Sequence, residues 1–322
     1  MDYTRLGNSG LRVSRIALGC MSYGDAGLGW SPWVLGEEAA APLFRQAVEL
    51  GVTFWDTANG YSGGTSEEIV GRAIKRFARR EDVVLATKVY LKMHDGPGGS
   101  GLSRKAIMEQ IDASLARLGT DYVDLYQIHR FDPEVPVEET MEALHDLVRV
   151  GKVRYLGASS MHAWQFAKLQ HAADLGGWTR FISMQDQYSL LQREEEREMF
   201  GLLADHGVSS IPWSPLARGR VARPWGEQTA RSGVDAVAAR MLPCDDEPIV
   251  TAVEQIAAER GVPMAQVALA WVLANPVVAA PIVGATKAHH LTDAVAALQI
   301  ELTDDERGRL EEHYTLRLPT GY

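Results

Sequence analysis

The sequence predicts an α/β protein, a (β/α)8 TIM barrel with an N-terminal β-hairpin and long loops on the C-terminal face. Three observations carry that prediction: eight short apolar runs of strand length, amphipathic helix-period stretches between them, and no linker that divides the chain. The chain opens with a hairpin-like pattern, residues 3–6 and 11–13 flanking Asn8-Ser9-Gly10. The strand-length runs follow at 16–18, 53–55, 83–86, 123–128, 153–156, 181–184, 210–213 and 278–282, rich in β-branched or aromatic residues. Between them Ile69, Ala73 and Phe77 share one helical stripe. Ile107, Ile111, Leu115 and Leu118 share a second, and Met141, Leu144 and Val148 a third. Ser103 stands where an N-cap belongs, and Glu138-Glu139 where first-turn acids offset the helix dipole. Short apolar strands in series need helices over their outer face, which a closed parallel barrel supplies. Residues 1–322 therefore read as one domain, with no 20–50 residue repeat beyond the βα unit. Two irregular stretches, 90–102 and 216–247, each follow a strand and are expected to overhang the C-terminal rim.

Composition narrows the function. Forty-two acidic against 32 basic residues give a formal net charge of -10, and a field of that sign repels nucleic acid and anionic membrane surfaces. No stretch approaches the ~18 consecutive apolar residues of a membrane span, and the N-terminus has no apolar leader core. Cys20 and Cys244 are too few for a disulfide framework, in keeping with a cytoplasmic protein. Nothing in the pattern separates a solvated helix face from the interface of a homo-oligomer.

In a barrel of this kind reactive groups come from the C-terminal ends of strands. The second run ends in Asp56 and leads five residues on to Tyr61; the third ends in Thr87-Lys88 and the fourth in Ile128-His129. Each residue alone has a plain structural explanation as a turn cap, a snorkelling amine, a loop aromatic or a core histidine. Together they place an acid, a phenol, an amine and an imidazole on one rim. A lysine ending an apolar strand is costly unless paired, and Asp56 from the neighbouring strand is the expected partner. An ammonium beside the phenol is expected to lower the Tyr61 pKa, and a neutral His129 to donate to a carbonyl oxygen.

At these residues a resemblance becomes specific. Arg5-Leu6-Gly7, Leu18-Gly19-Cys20-Met21-Ser22-Tyr23-Gly24, Phe54-Trp55-Asp56-Thr57-Ala58-Asn59-Gly60-Tyr61, Ser66-Glu67, Thr87-Lys88, Asp124-Leu125-Tyr126-Gln127-Ile128-His129 and Trp213-Ser214-Pro215-Leu216-Ala217 recur in order from end to end. This set resembles the aldo-keto reductase family, and within it bacterial members of the type that also resemble the potassium-channel β subunit. The resemblance implies hydride transfer from NADPH (returning NADP+) to a small-molecule aldehyde or ketone, with Tyr61 as proton donor, Lys88 and Asp56 tuning it, and His129 orienting the carbonyl. It implies carboxamide contacts from Ser159 and Gln185, nicotinamide stacking on Trp213, and a pyrophosphate loop at Ser214, Leu216 and Gly219. Gly284, Thr286 and Lys287 fall in the segment that holds the adenosine 2′-phosphate, where a hydroxyl and an ammonium suit a dianion. Gly19, Met21, Asp56, Ser160, His290 and Asp293 complete the expected cofactor set. Ser160 replaces a frequent Asn, His290 a Gln or Arg, Asp293 a Glu and Ala294 an Asn; a protonated His290 is expected to add to phosphate binding.

Gly96-Pro97-Gly98-Gly99-Ser100-Gly101 matches GxGxxG, but residues 90–95 separate it from the preceding strand and no second mononucleotide half follows, so it reads as a mobile substrate loop. His289-His290 lacks the cysteines, HExxH or spaced carboxylates of a metal site, and no metal is expected. An NADPH-binding redox-sensing subunit with slow chemistry is the competing function; the channel-associated relatives carry Asn where this chain has His129. A non-redox lyase or isomerase on the same barrel is the third. Trp30, Trp33, Tyr90, Met93 and Trp225 hint at an apolar substrate pocket.

Overall fold

In the computed structural model the described residues are 1–28, 32–229 and 246–319. β1 (Tyr3–Arg5) and β2 (Arg12–Ser14) form the expected antiparallel hairpin, its turn held by Ser9, whose hydroxyl donates to Leu6 O (2.7 Å) and accepts from Leu11 N (3.1 Å). The parallel strands follow: β3 (Ala17–Gly19), β4 (Phe54–Asp56), β5 (Val84–Val89), β6 (Val123–Ile128), β7 (Val153–Ser159), β8 (Phe181–Gln185), β9 (Ser209–Ser210) and β10 (Ile282–Gly284). Their order is β10-β3-β4-β5-β6-β7-β8-β9. Backbone bonds from Ser210 N to Val277 O (2.9 Å), Ala279 N to Ser210 O (2.9 Å) and Ile282 N to Pro212 O (2.8 Å) join the last seam and close the barrel.

Observed strands mostly run past the apolar runs at their C-terminal ends, to Asp56, Val89, Ser159 and Gln185. Hydrophobic periodicity stops where the core stops, whereas the backbone ladder continues into the polar rim. The seventh strand is shorter than its run because Pro212 has no N–H to give the ladder, although Ile211 N and Trp213 N still donate to Met184 O and Asp186 O (2.8 Å each).

The covering helices are α1 (Glu37–Glu49), α2 (Thr65–Phe77), α3 (Arg104–Leu118), α4 (Val137–Arg149), α5 (Ala163–Gly176), α6 (Met199–His206), α7 (Glu247–Arg260), α8 (Met264–Leu273), α9 (Ala288–Ala296) and α10 (Asp304–Glu311). Ser103 caps α3 by accepting from Ala106 N, and Glu138 and Glu139 sit in the first turn of α4. The core has two compartments. One lies between sheet and helices; the other fills the barrel, where Phe54, Ala86, Leu125, Ile211 and Ile282 pack with Leu6 and Val13 of the hairpin. The hairpin is therefore the plug of the barrel's N-terminal end, which leaves the C-terminal end for polar residues. Among the described residues no helix is long and apolar enough to cross a membrane.

Candidate active site

Strand alternation sorts the rim. On β5, Lys88 points inward and is fully buried, while Thr87 points outward and donates to Glu67 on α2. The Lys88 ammonium has three hydrogens and three acceptors: Asp56 Oδ1 at 2.6 Å, Thr57 O at 2.9 Å and Tyr61 Oη at 3.1 Å. Because ammonium only donates, Tyr61 Oη accepts in that bond. Asp56 Oδ2 accepts from Gln127 Nε2 and Gln185 Nε2, both at 2.9 Å. Tyr61 meets His129 edge-on, ring centroids 5.7 Å apart. The four residues expected at the reaction centre are thus brought together.

Their electrostatics correct one expectation. Burial pushes the Tyr61 phenol above its ordinary value; Lys88 pulls it down as expected but does not outweigh desolvation. The phenol therefore stays protonated at neutral pH, the form a proton donor needs. Burial also works against the Lys88 charge, but Asp56 and Tyr61 more than compensate, and its pKa is raised. For His129, burial first and then the positive charges of Lys88 and Arg130 hold the imidazole well below its usual range. It is neutral, with one N–H to donate, and its Nδ1 is buried without a partner among the described residues.

The expected cofactor residues fall in two groups. Ser159, Ser160, Gln185 and Trp213 meet at the ends of β7, β8 and β9: Ser159 Oγ donates to Gln185 O (2.8 Å), and Trp213 Nε1 donates to Ser160 Oγ (3.0 Å). Ser160 has φ 45°, a left-handed conformation that Asn tolerates better than most residues, in keeping with the Asn that the resemblance expects there. Across the barrel Gly284 and Gly19 pair in register, with Asp56 next to Gly19 and Met21 in the 3-10 turn that follows. Between the groups Ser214, Ala217, Arg218 and Gly219 have φ from 46° to 91°, and Leu216 packs toward Val283 and Ala294. Left-handed non-glycine residues cost ~1–3 kcal/mol each and persist where function over-determines the backbone. Among the residues expected around the adenosine, Thr286 N donates to His290 Nδ1 (3.2 Å), so the ring in this arrangement carries no proton there. Asp293 accepts from Gln266 (3.0 Å), and Lys287 is exposed just before α9.

The 96–101 glycine run is no dinucleotide turn. Its loop folds back on itself through Met93 N to Gly99 O and Gly101 N to Tyr90 O (2.8 Å each), and Asp132 Oδ2 fastens it by accepting from Leu102 N (2.8 Å). Of the aromatic candidates for the substrate side, Trp30 and part of the 216–247 loop lie outside the described residues, as does Cys244. Phe131 and Trp164, which meet edge-on with centroids 6.0 Å apart beyond the ends of β6 and β7, escaped sequence reading, because nothing in a periodicity reveals a loop aromatic converging on one at the start of α5. Gln127 was visible only as part of a motif. Among the described residues no cluster of His, Cys, Asp or Glu is arranged to hold a metal ion.

A closed parallel barrel with a buried phenol, ammonium, carboxylate and imidazole at its C-terminal end defines an oxidoreductase site, and the chain belongs to the Aldo/keto reductase family, whose profile matches residues 15–315. It is 47% identical to the versiconal hemiacetal acetate reductase of Aspergillus parasiticus, over 98% of this chain and 97% of that protein. It is 45% identical to the aldo-keto reductase AMT2 of Alternaria alternata (99% and 93%). A Schizosaccharomyces pombe protein provisionally named an aryl-alcohol dehydrogenase is 42% identical (97% and 95%). These relatives are fungal, so the expectation of a bacterial type finds no support in them.

Proposed function

We propose that this chain is an NADPH-dependent carbonyl reductase in which Tyr61 protonates the oxygen of an aldehyde or ketone as its carbon is reduced. One observation carries the reading: the Lys88 ammonium, bonded to Asp56 and Thr57 O, also donates to Tyr61 Oη, so the phenol accepts from a cation placed to stabilise its phenolate, beside a neutral His129. Bound NADPH would supply the hydride. Lys88 stabilises the phenolate that remains after proton transfer, Asp56 keeps Lys88 charged, and the His129 N–H orients the carbonyl.

The rim suits a dinucleotide. Both amide hydrogens of Gln185 are used inside the protein, on Asp56 and on Gln127, which leaves its Oε1 to accept from a carboxamide N–H. Ser159 and Ser160 would complete that contact and Trp213 would stack on the ring. Gly19, Met21 and Asp56 would face the same end of the cofactor. Ser214, Leu216 and Gly219 would run beside the pyrophosphate, while Gly284, Thr286, Lys287, His290 and Asp293 would surround the adenosine. An exposed Lys287 beside Thr286 favours a 2′-phosphate. The phosphate contribution of His290 requires protonation that would cost its bond from Thr286 N; His290→Ala leaving NADPH affinity unchanged and flat between pH 6 and 8 defeats that part.

The Phe131 and Trp164 pair, with the names of the fungal relatives, supports aromatic or otherwise apolar carbonyl substrates. A panel of such aldehydes followed by NADPH absorbance tests the reading. Tyr61→Phe is expected to lose about 10²–10⁴-fold in kcat and keep NADPH binding. Near-normal turnover in Tyr61→Phe, or a single turnover followed by arrest in the unaltered protein, counts against it.

A further inference from the structure

We propose that Gln127 is a positioning residue for this reaction, holding the Asp56 carboxylate in place and helping to fix which way the Gln185 amide faces; the inference rests on the function proposed above. Gln127 is fully buried on β6, in register with Lys88 on one side and Gly157 on the other. The Asp56 carboxylate, paired with Lys88, only accepts, so whatever meets its Oδ2 must present N–H. Gln127 Nε2 does so at 2.9 Å, which turns its Oε1 the other way, toward Gln185 Nε2 at 3.2 Å. Gln185 gives its other amide hydrogen to the same Asp56 oxygen, at 2.9 Å. Gln127 therefore decides, together with Asp56, which face of Gln185 looks outward, and supplies one of the two donors that hold the carboxylate against Lys88. The acid side of the chemistry and the carboxamide side of the cofactor site are coupled through it.

A second, independent observation supports this. A Cβ at Gly157 would lie 3.0 Å from Gln127 Cγ and 2.6 Å from Ser183 Oγ, so the barrel interior keeps a glycine where Gln127 needs room. Gly157 has no left-handed backbone to explain it. With an apolar side chain at 127, Asp56 Oδ2 loses a donor and a Gln185 N–H loses its acceptor, both in a buried setting where unmade hydrogen bonds are costly.

The test compares the full-length wild-type protein with Gln127→Leu, Gln127→Glu and Gly157→Ala, reading NADPH affinity, kcat, KM for one aldehyde and the pH dependence of kcat, with melting temperatures alongside. Gln127→Leu is expected to lower NADPH affinity and kcat each about tenfold, while KM for the aldehyde moves less than about twofold; Gly157→Ala moves them in the same direction. Gln127→Glu supplies the discriminating signature. When protonated, Glu presents an O–H to Asp56 and a carbonyl to Gln185, as Gln does; when ionised it repels Asp56. The charged groups around it are Asp56 from β4 and Lys88 from β5; the titratable His129 just past the end of its own strand is neutral, and Gly157, Ser183 and Gln185 opposite are uncharged. Its kcat is expected to approach wild type at low pH and fall as pH rises, a limb absent from both wild type and Gln127→Leu. Wild-type kcat and NADPH affinity in Gln127→Leu overturns the inference. So does a loss that follows melting temperature alone, with no pH limb in Gln127→Glu. A wild-type protein that turns over no carbonyl with NADPH overturns the underlying function, and the inference with it.

Discussion

Three hydrogens sit on the Lys88 ammonium, and three acceptors receive them, so a fully buried charge is left with no unmade bond. Residue-scale chemistry follows from that. Tyr61 and Lys88 both titrate above their ordinary values and His129 well below its own, so none of them changes charge near neutrality. For carbonyl reduction, kcat is expected to be flat from about pH 6.5 to about pH 10, with its alkaline limb above that, as the phenol finally ionises. Rates against pH in buffers of constant ionic strength check this; an inflection centred near pH 6.5 would mean that His129 is solvated and charged in the working enzyme.

At the scale of the element, α2 carries the burden of placing Tyr61, which opens the 3-10 turn (Tyr61–Gly64) leading into it. Glu67 in its first turn is fully buried, accepting from Thr87 on one oxygen and from Arg117 Nε (2.7 Å) on the other, so α2 is tied at once to β5 and to α3. Thr87 is the outward neighbour of Lys88, and the same alternation that aims the amine inward gives α2 its anchor. Truncating one partner, as in Glu67→Ala, takes the acceptor from the buried Thr87 hydroxyl and leaves the half-buried Arg117 with Ser114, and is expected to cost ~1–3 kcal/mol in denaturant unfolding. Gly71 governs the same contact by sterics: a Cβ there would lie 2.2 Å from Leu118 O, which is backbone. Gly71→Ala is therefore expected to destabilise by ~1–3 kcal/mol despite alanine's better helix propensity, and a raised denaturation midpoint would contradict the packing.

Across the whole molecule, barrel closure rests on the seam between β8, β9 and the approach to β10, and that seam holds a buried acid. Asp186 accepts from Ser210 Oγ at 2.6 Å, its other oxygen has no partner among the described residues, and burial pushes its pKa up to about 7 against a lowering by Ser210. Its ordinary value is 3.8, so between about pH 4 and 7 the folded state holds a proton that the unfolded state has released. Its contribution is fully present below pH 4 and is lost as pH rises to about 7, by up to ~4 kcal/mol. Asp186→Asn removes this dependence: the variant's stability relative to wild type is expected to rise by a few kcal/mol from pH 4 to 7 in parallel urea titrations. A constant difference across that range would show Asp186 ionised in the fold.

The sequence by itself determined the barrel, the hairpin, the α3 cap and which four residues meet at the barrel's polar end. Apolar strand runs that break off in Asp56, Lys88 and His129 say where the core ends and the polar rim begins, and local periodicity is enough to read that. Tertiary structure alone decided the rest. The sign of the Tyr61 shift is a contest between desolvation and a Lys88 charge 27 positions away along the chain, and only the packed barrel sets how much water is excluded. The role of Gln127 depends on side chains from β4 and β8 meeting it across the barrel, and on the room left at Gly157. Closure past Pro212 depends on strands that are neighbours only once the sheet has curled. Hydrogen-bond direction, burial and close approach are properties of distances between strands, and those distances exist only in the folded chain.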